Sequence, residues 1–470
     1  MTTSKNAADT AFLPVYELAG EIAAGRLTST TLTEVLLDRI ARYDRKLHAF
    51  IVVYGDEARL AAKAADQAIH SGHRIGPLHG IPVAVKDIVD LVGRVTTGGS
   101  KVWSDRVSPV TATIVQRMIA AGMIVLGKTH TVEFAMGSFG TNQHLGTPWN
   151  PWDVDRHRIP GGSSAGSGVS VAAGLAPWAI GTDTGGSVRL PASFCGIVGL
   201  KTTIGRISRH GVLPLSTTLD TPGPMCRSVQ DAALLYDVLR APDRLDPITI
   251  GQSTDNVLGP LKSGVSGLRL ARLPQAERED VAAEVLAAYD ASLEVFSRLG
   301  ARIVDISLPR RFAELGELVG RIIGAEGYSF VGHLVDDESL PIDADIRPRI
   351  QLGRDMSAKE YLLALREQQA IKCLFEQSLA DVDALLTPTT TTAAPLVEAV
   401  DQSGSAAHFT RAVNLIEGCA LALPNGVTSA GLPTSLQIVC CGSQEAMALR
   451  IGWALEQATD WHQRRPAGFD

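Results

Sequence analysis

Short runs that are apolar at nearly every position alternate with stretches whose apolar residues recur at helical spacing. Residues 14–26, 30–44, 57–71 and 111–122 carry the helical spacing, while residues 49–54, 81–89 (IPVAVKDIV) and 123–128 (MIVLGK) read as strands. Gly122 closes the last of these helices, the usual place for a residue that tolerates a left-handed backbone. A strand apolar on both faces has to be covered on both, so helices laid between such strands predict a buried, largely parallel sheet. The same theme returns at 269–274 (RLARLP), 302–309 (RIVDISLP), 383–388 (DALLTP) and 434–442 (TSLQIVCCG), with helices expected at 278–299, 357–380 and 444–460. No internal repeat and no polar hinge interrupts it. One large domain spanning 1–470 is expected, with residues 230–400 as a more variable lobe.

Composition removes several classes of function. Of 470 residues, 45% are hydrophobic and 20% charged, ordinary values for a globular chain with a sizeable core. The net charge of -7 gives no basic field for phosphate backbones or anionic lipid, so neither a nucleic-acid nor a membrane partner is expected. The opening MTTSKNAADTAF has no basic segment leading into an apolar one, and no run reaches membrane-spanning length, which predicts a cytoplasmic protein. Six cysteines lie scattered without CxxC spacing, and adjacent Cys440 and Cys441 should face opposite sides of a strand, so reduced thiols are expected. Eleven histidines occur singly, with no HExxH motif and no His/Cys cluster, so neither a metal nor another cofactor is expected.

Residues 137–226 are rich in Gly, Ser, Thr and Pro yet studded with apolar runs such as VSVAAGLA, which a flexible linker lacks. Three segments here and just before could carry chemistry: HGIPVAVKDIVD (79–90), PGGSSAGSGVSVAAG (160–174) and GTDTGGSVRLPASFCGIVGLK (181–201). Acyl transfer needs a nucleophilic hydroxyl, a base, and backbone N–H donors for the tetrahedral oxyanion. Glycines before Ser187 allow the N–H groups of Thr184, Gly185, Gly186 and Ser187 to converge. Gly161, Gly162, Ser163 and Ser164 open a small-residue helix whose first amides can face a negative charge.

No histidine stands at a useful spacing to act as base. Lys86, within an apolar strand, is the best candidate, because burial disfavours its ammonium, and Asp87 should project to the other face. Each motif alone has a plainer reading: a snorkelling lysine, a simple turn, a structural nest. Gly162, Ser164 and Gly166 also fit G-x-S-x-G, which would make Ser164 the nucleophile, but RHRIP precedes it where a buried strand is required.

Together and in this order, GIPVAVKD, PGGSSAGS and GTDTGGSVRLPASFCGIVGLK, running on into GRISRHGVLPLSTTLDTPGPM, resemble the amidase signature family. The similarity reaches EFAMGSFGTNQHLGTPWNP (133–151), DALLTP and GLPTSLQIV, and so covers nearly the whole chain, with the signature core at about 76–226. It implies an α/β fold: a single large domain whose central mixed sheet of roughly a dozen strands is covered by helices on both faces. It also implies a Ser-cisSer-Lys triad, in which Ser187 is the nucleophile, Ser163 the bridging serine after a cis peptide, and Lys86 the end of the relay. Thr184, Gly185 and Gly186 match the oxyanion-hole stretch, and the loop holding Ala135, Met136, Gly137, Ser138 and Phe139 matches the acyl pocket.

The activity so implied is hydrolysis of a small-molecule carboxamide through an acyl-enzyme. Two alternatives stay open: the A-subunit of an amidotransferase complex that supplies ammonia for tRNA-dependent transamidation, or a carbamate, urea or aryl-amide hydrolase. A homodimer is also open. Arg189 reads as a structural ion-pair residue more than a substrate ligand, and His157 and His210 as loop or surface residues. In NLIEGCALALPNG (414–426), Glu417 and Cys419 replace the glycine and proline of the usual pattern beside the substrate site, with a structural role favoured for Glu417.

Overall fold

The computed structural model describes residues 7–252 and 256–469. Eleven strands form one mixed sheet: β1 (Phe50–Val53), β2 (Pro82–Lys86), β3 (Ile124–Thr129), β4 (Trp178–Asp183), β5 (Val198–Lys201), β6 (Thr221–Cys226), β7 (Arg269–Ala271), β8 (Arg302–Val304), β9 (Ala384–Pro388), β10 (Cys419–Val427) and β11 (Pro433–Cys440). Their order across the sheet is β1-β3-β2-β4-β6-β5-β10-β11-β9-β7-β8. β3, β2 and β4 run parallel at one side, and β9, β7 and β8 at the other. Antiparallel pairs through β6, β5, β10 and β11 join the two blocks. The mixed single-domain α/β architecture is therefore the one that the family resemblance implies.

The helical patterns of the N-terminal part fold as Val15–Ala23, Ser29–Leu47, Gly55–His70 and Thr113–Ala120. The last carries the chain from β2 to β3, a crossover that parallel neighbours require. Ala283–Arg298 makes the matching crossover from β7 to β8, and starts later than 278 because residues 278–282 turn and Ala282 is extended at φ -56°, ψ 139°, its N–H donating to the Thr391 carbonyl. The strand expected at 81–89 stops at Lys86, since the Lys86 carbonyl accepts the N–H groups of both Ile88 and Val89 and turns the chain.

β2 and β4 are buried at every position and lie side by side, Val85 opposite Ile180. Chains leaving parallel strands at their carboxyl ends open a crevice there, and this is where the chemistry-bearing segments collect. The long helix Phe312–Val335 and the short helix Arg411–Leu415 supply the other wall of that crevice.

Candidate active site

Lys86 is the last residue of β2, so the sheet carries its side chain into the interior at the strand's carboxyl end. Its exposure is 0%, and its Nζ donates to Ser163 Oγ at 2.7 Å and to Thr182 Oγ1 at 2.8 Å. Among the described residues Lys86 has no ion-pair partner. Burial lowers its pKa from 10.5 to about 7, against the opposing pull of the Asp220 and Asp183 carboxylates. Asp87 is turned elsewhere: Lys128 Nζ donates to its Oδ1 at 2.8 Å, and Thr97 to its Oδ2.

Ser163 comes from the turn before the helix Ala165–Ala172, and the Gly162–Ser163 peptide is cis. The turn lies against the loop that holds Ser138, where Gly162 N–H donates to the Ser138 carbonyl at 2.8 Å. Ser164 belongs to the scaffold. It is wholly buried, its Oγ exchanges 3.3 Å bonds with the main chain of Thr182, and its N–H donates to the Ser187 carbonyl. The G-x-S-x-G alternative thus fails on geometry. Of the helix's first amides, Gly166 N–H is taken up by the His130 carbonyl at 3.0 Å.

Ser187 stands in the turn after β4, and Asp183, the last residue of that strand, builds the turn. Its Oδ1 accepts from Gly186 N–H at 2.8 Å and its Oδ2 from Val188 N–H at 3.2 Å. Arg189 clamps the same carboxylate through Nε at 2.9 Å and Nη2 at 2.8 Å, both side chains being 0% exposed. Burial pushes the Asp183 carboxyl up, but the charge and hydrogen bonds of Arg189 outweigh it and hold the group well below the usual carboxylate range. The structural ion pair expected for Arg189 is present. Gly186 sits at φ 134°, and a Cβ there would collide with Thr410 Oγ1, whose hydroxyl donates to the Gly185 carbonyl at 2.6 Å. Thr184 Oγ1 donates to Asp220 Oδ1 at 2.5 Å. The nest expected over 184–187 differs in one donor, since Gly186 N–H is spent on Asp183.

Ser187 opens on a cavity of about 560 Å³ whose lining includes Thr184, Gly185, Met136, Gly137 and Ser138. Lys86 and Ser163, both 0% exposed, do not line it. Glu417 turns away from the cavity, accepting from Lys372 Nζ at 2.6 Å, while Cys419 is buried in β10 opposite Cys440. The altered 417–419 pattern therefore does not border the cavity, contrary to the sequence expectation, although Arg411 and Ala407 just before it do. His157 stacks on Trp149 with ring centroids 4.3 Å apart, away from Ser187. His210 lines a separate hollow beside Thr182 and Asp220.

Sequence reasoning missed Thr182, Asp183 and Asp220, which position the lysine and the turn, and Arg411, Arg349 and Thr410 on the cavity side. The first two lie within GTDTGGS, at the end of β4, a strand that the apolar spacing did not announce. The others are brought in from distant segments. Among the described residues no group of three or more His, Cys, Asp or Glu side chains is arranged to hold a metal ion. No helix among them is long and apolar enough to cross a membrane.

A family model described as Amidase matches residues 31–449. Curated relatives include the glutamyl-tRNA(Gln) amidotransferase A-subunit of Chloroflexus aggregans, 36% identical over 481 residues, covering 97% of this chain and 98% of that protein. Its counterpart in Nitrosococcus oceani, of the same name, is 36% identical, covering 96% and 99%. Among solved structures, the native peptide amidase of Stenotrophomonas maltophilia superposes with a TM-score of 0.86 at 30% identity, covering 97% of this chain and 98% of that one. With fold, motif order and relatives in agreement over nearly the full length, the chain belongs to the amidase signature family.

Proposed function

We propose that the chain is an amidohydrolase that cleaves a carboxamide C–N bond through an acyl-enzyme on Ser187, with Ser163 and Lys86 as the proton relay. The observation that carries this reading is a fully buried amine, at a pKa of about 7 and free of any ion pair among the described residues, within 2.7 Å of Ser163 Oγ. A lysine in that state is half neutral near pH 7, the condition under which a base works best.

Ser187 Oγ attacks the amide carbonyl while its proton passes to Ser163 Oγ, whose own proton moves to the neutral Lys86 amine. Charge growing on the carbonyl oxygen is met by amides of the Thr184–Gly185–Ser187 stretch, with Gly186 holding the turn through Asp183. Lys86 then returns a proton through Ser163 to the departing nitrogen, the C–N bond breaks, and ammonia or an amine leaves. Water attacks the ester by the same relay in reverse, releasing the carboxylic acid and restoring Ser187.

A second reading has specific support: the curated relatives, 36% identical over nearly the whole chain, carry the name of an amidotransferase A-subunit. Those names speak of tRNA(Gln) and of one component among several, which weighs against the absence of a nucleic-acid partner expected from net charge. In this reading the same acyl-enzyme forms, and the ammonia goes to another component of the complex instead of solvent. The altered 417–419 pattern, which does not border the cavity, does not decide between the two readings.

A fluorophosphonate probe tests the shared chemistry. It should label the wild type and not Ser187→Ala, and Ser163→Ala should lower the labelling rate about 10²–10⁴-fold. Labelling of Ser187→Ala at the wild-type rate would refute it. Hydrolysis of simple amides by the isolated chain, unaltered by the other components of an amidotransferase, separates the hydrolase from the transferase.

A further inference from the structure

The wall of the Ser187 cavity carries two guanidinium groups, Arg411 and Arg349, that form no ion pair among the described residues. Arg411, the first residue of its short helix, lays its stem over the nucleophile's turn: its Cγ stands 3.4 Å from where a Cβ on Gly185 would be. Its Nη1 makes one long bond of 3.4 Å to the Gly316 carbonyl, and glycine at 316 leaves room for the group. Arg349 lines the same cavity and donates to the carbonyls of Gln402 and Gly404. Among the described residues neither forms an ion pair. The Asp345, Asp343 and Asp401 carboxylates act on Arg349 from beyond ion-pair range. The charge acting on Arg411 is the like charge of Arg349, which adds to burial in holding its pKa below the ordinary value.

The remaining charges of the cavity belong to its rim. Arg321 is exposed and paired with Glu367 at 3.1 Å, and Glu317, the acidic residue of the lining, is exposed. Two partly buried cations lining one hollow are costly unless an anion enters it.

Resting on the amidohydrolase reading, we propose that the acyl half of the substrate carries a carboxylate and no ammonium, and that Arg411, with Arg349, is the residue that selects it. The substrate class is the half-amide of a dicarboxylic acid. The carboxylate accepts from the two guanidinium groups, which fixes the carbonyl carbon over Ser187. An ammonium on the same acyl chain would meet two cations and no carboxylate on that wall.

The test compares malonamate, succinamate and glutaramate with propanamide, butanamide and pentanamide, and glutaramate with L-glutamine, its α-amino counterpart. At least one half-amide should exceed its neutral partner in kcat/KM by about tenfold or more, and glutaramate should exceed L-glutamine. Arg411→Met keeps the stem over Gly185 and removes the charge. It should lower that anionic preference about 10–100-fold, mainly through KM, with partial recovery in Arg411→Lys. Fluorophosphonate labelling of Ser187 is read in parallel. Labelling with no half-amide preferred over its neutral partner, with L-glutamine preferred over glutaramate, or with Arg411→Met lowering both classes equally overturns this inference alone. Absence of labelling in the wild type overturns the amidohydrolase reading beneath it.

Discussion

A single carboxylate, Asp183, does most to shape the turn that presents Ser187. It accepts the Gly186 and Val188 amides, is clamped by Arg189, and takes a further bond from Asn414 Nδ2 at 3.0 Å. Asn at 183 would leave the buried Arg189 charge without its partner, and removing one member of such a pair is strongly destabilising. Asp183→Asn is therefore expected to lower the melting temperature and to slow fluorophosphonate labelling of Ser187 at least tenfold; unchanged labelling in a folded variant would show that the turn holds without it. The residues proposed to carry chemistry stood out in sequence because their types are unusual for their settings: a lysine inside an apolar strand, and two Gly-Gly-Ser turns. What supports them was half legible. Asp183 lies in the same string as Ser187, but Thr410, Asn414 and Arg411 arrive from more than two hundred positions away, and of these only Asn414 falls in a segment that the family pattern set beside the substrate site.

At the level of elements, the sequence was clear wherever apolar spacing was clean and silent where glycine or proline broke it. β6, TPGPMC, was not anticipated because prolines are rare in central strands. They are tolerated because Pro222 and Pro224 pair with β4 on one side, while the pairing of β6 with β5 is confined to Met225 and Cys226 on the other. Ladder bonds are not lost where no partner strand reaches. The helix Phe312–Val335 was missed for a similar reason, since its five glycines at 316, 320, 324, 327 and 332 depress helical propensity by about 1 kcal/mol each. Packing is tight at some of these: a Cβ on Gly327 would press to 3.2 Å from Leu215 Cδ1, which would have to shift to make room. Gly320 is different, for nothing lies within 4 Å of its Cβ position. Gly320→Ala is expected to stabilise the fold by about 0.5–1 kcal/mol in urea denaturation, whereas Gly327→Ala should not; equal effects at both would mean that packing does not set these glycines.

For the whole molecule, the sheet serves to keep one amine dry. Lys86 stands at the end of a strand buried at every position, beside β4, which is buried likewise, and that setting lowers its pKa to about 7. The α/β class and the strand-helix order were legible because apolar periodicity reports burial directly. Periodicity pointed to a largely parallel sheet, however; the mixed sheet was implied by the family resemblance, and antiparallel pairs through β6, β5, β10 and β11 make it so. The state of the lysine was legible only as a direction, because its value depends on how near the Asp220 and Asp183 charges come, and pairing across the sheet decides that. The sign of the pH dependence follows. Below about pH 7 the amine is an ammonium and cannot accept the Ser163 proton; above it the amine is neutral and can. The rate at which a fluorophosphonate labels Ser187, measured from pH 5 to 10 in the wild type and in Lys86→Met, tests this most directly. A wild-type rate rising to a plateau with a midpoint near 7, against a variant slower by about 10²-fold or more with that midpoint gone, is the expected result. A Lys86→Met profile that matches the wild type in rate and midpoint would contradict the assignment of the buried amine as the base.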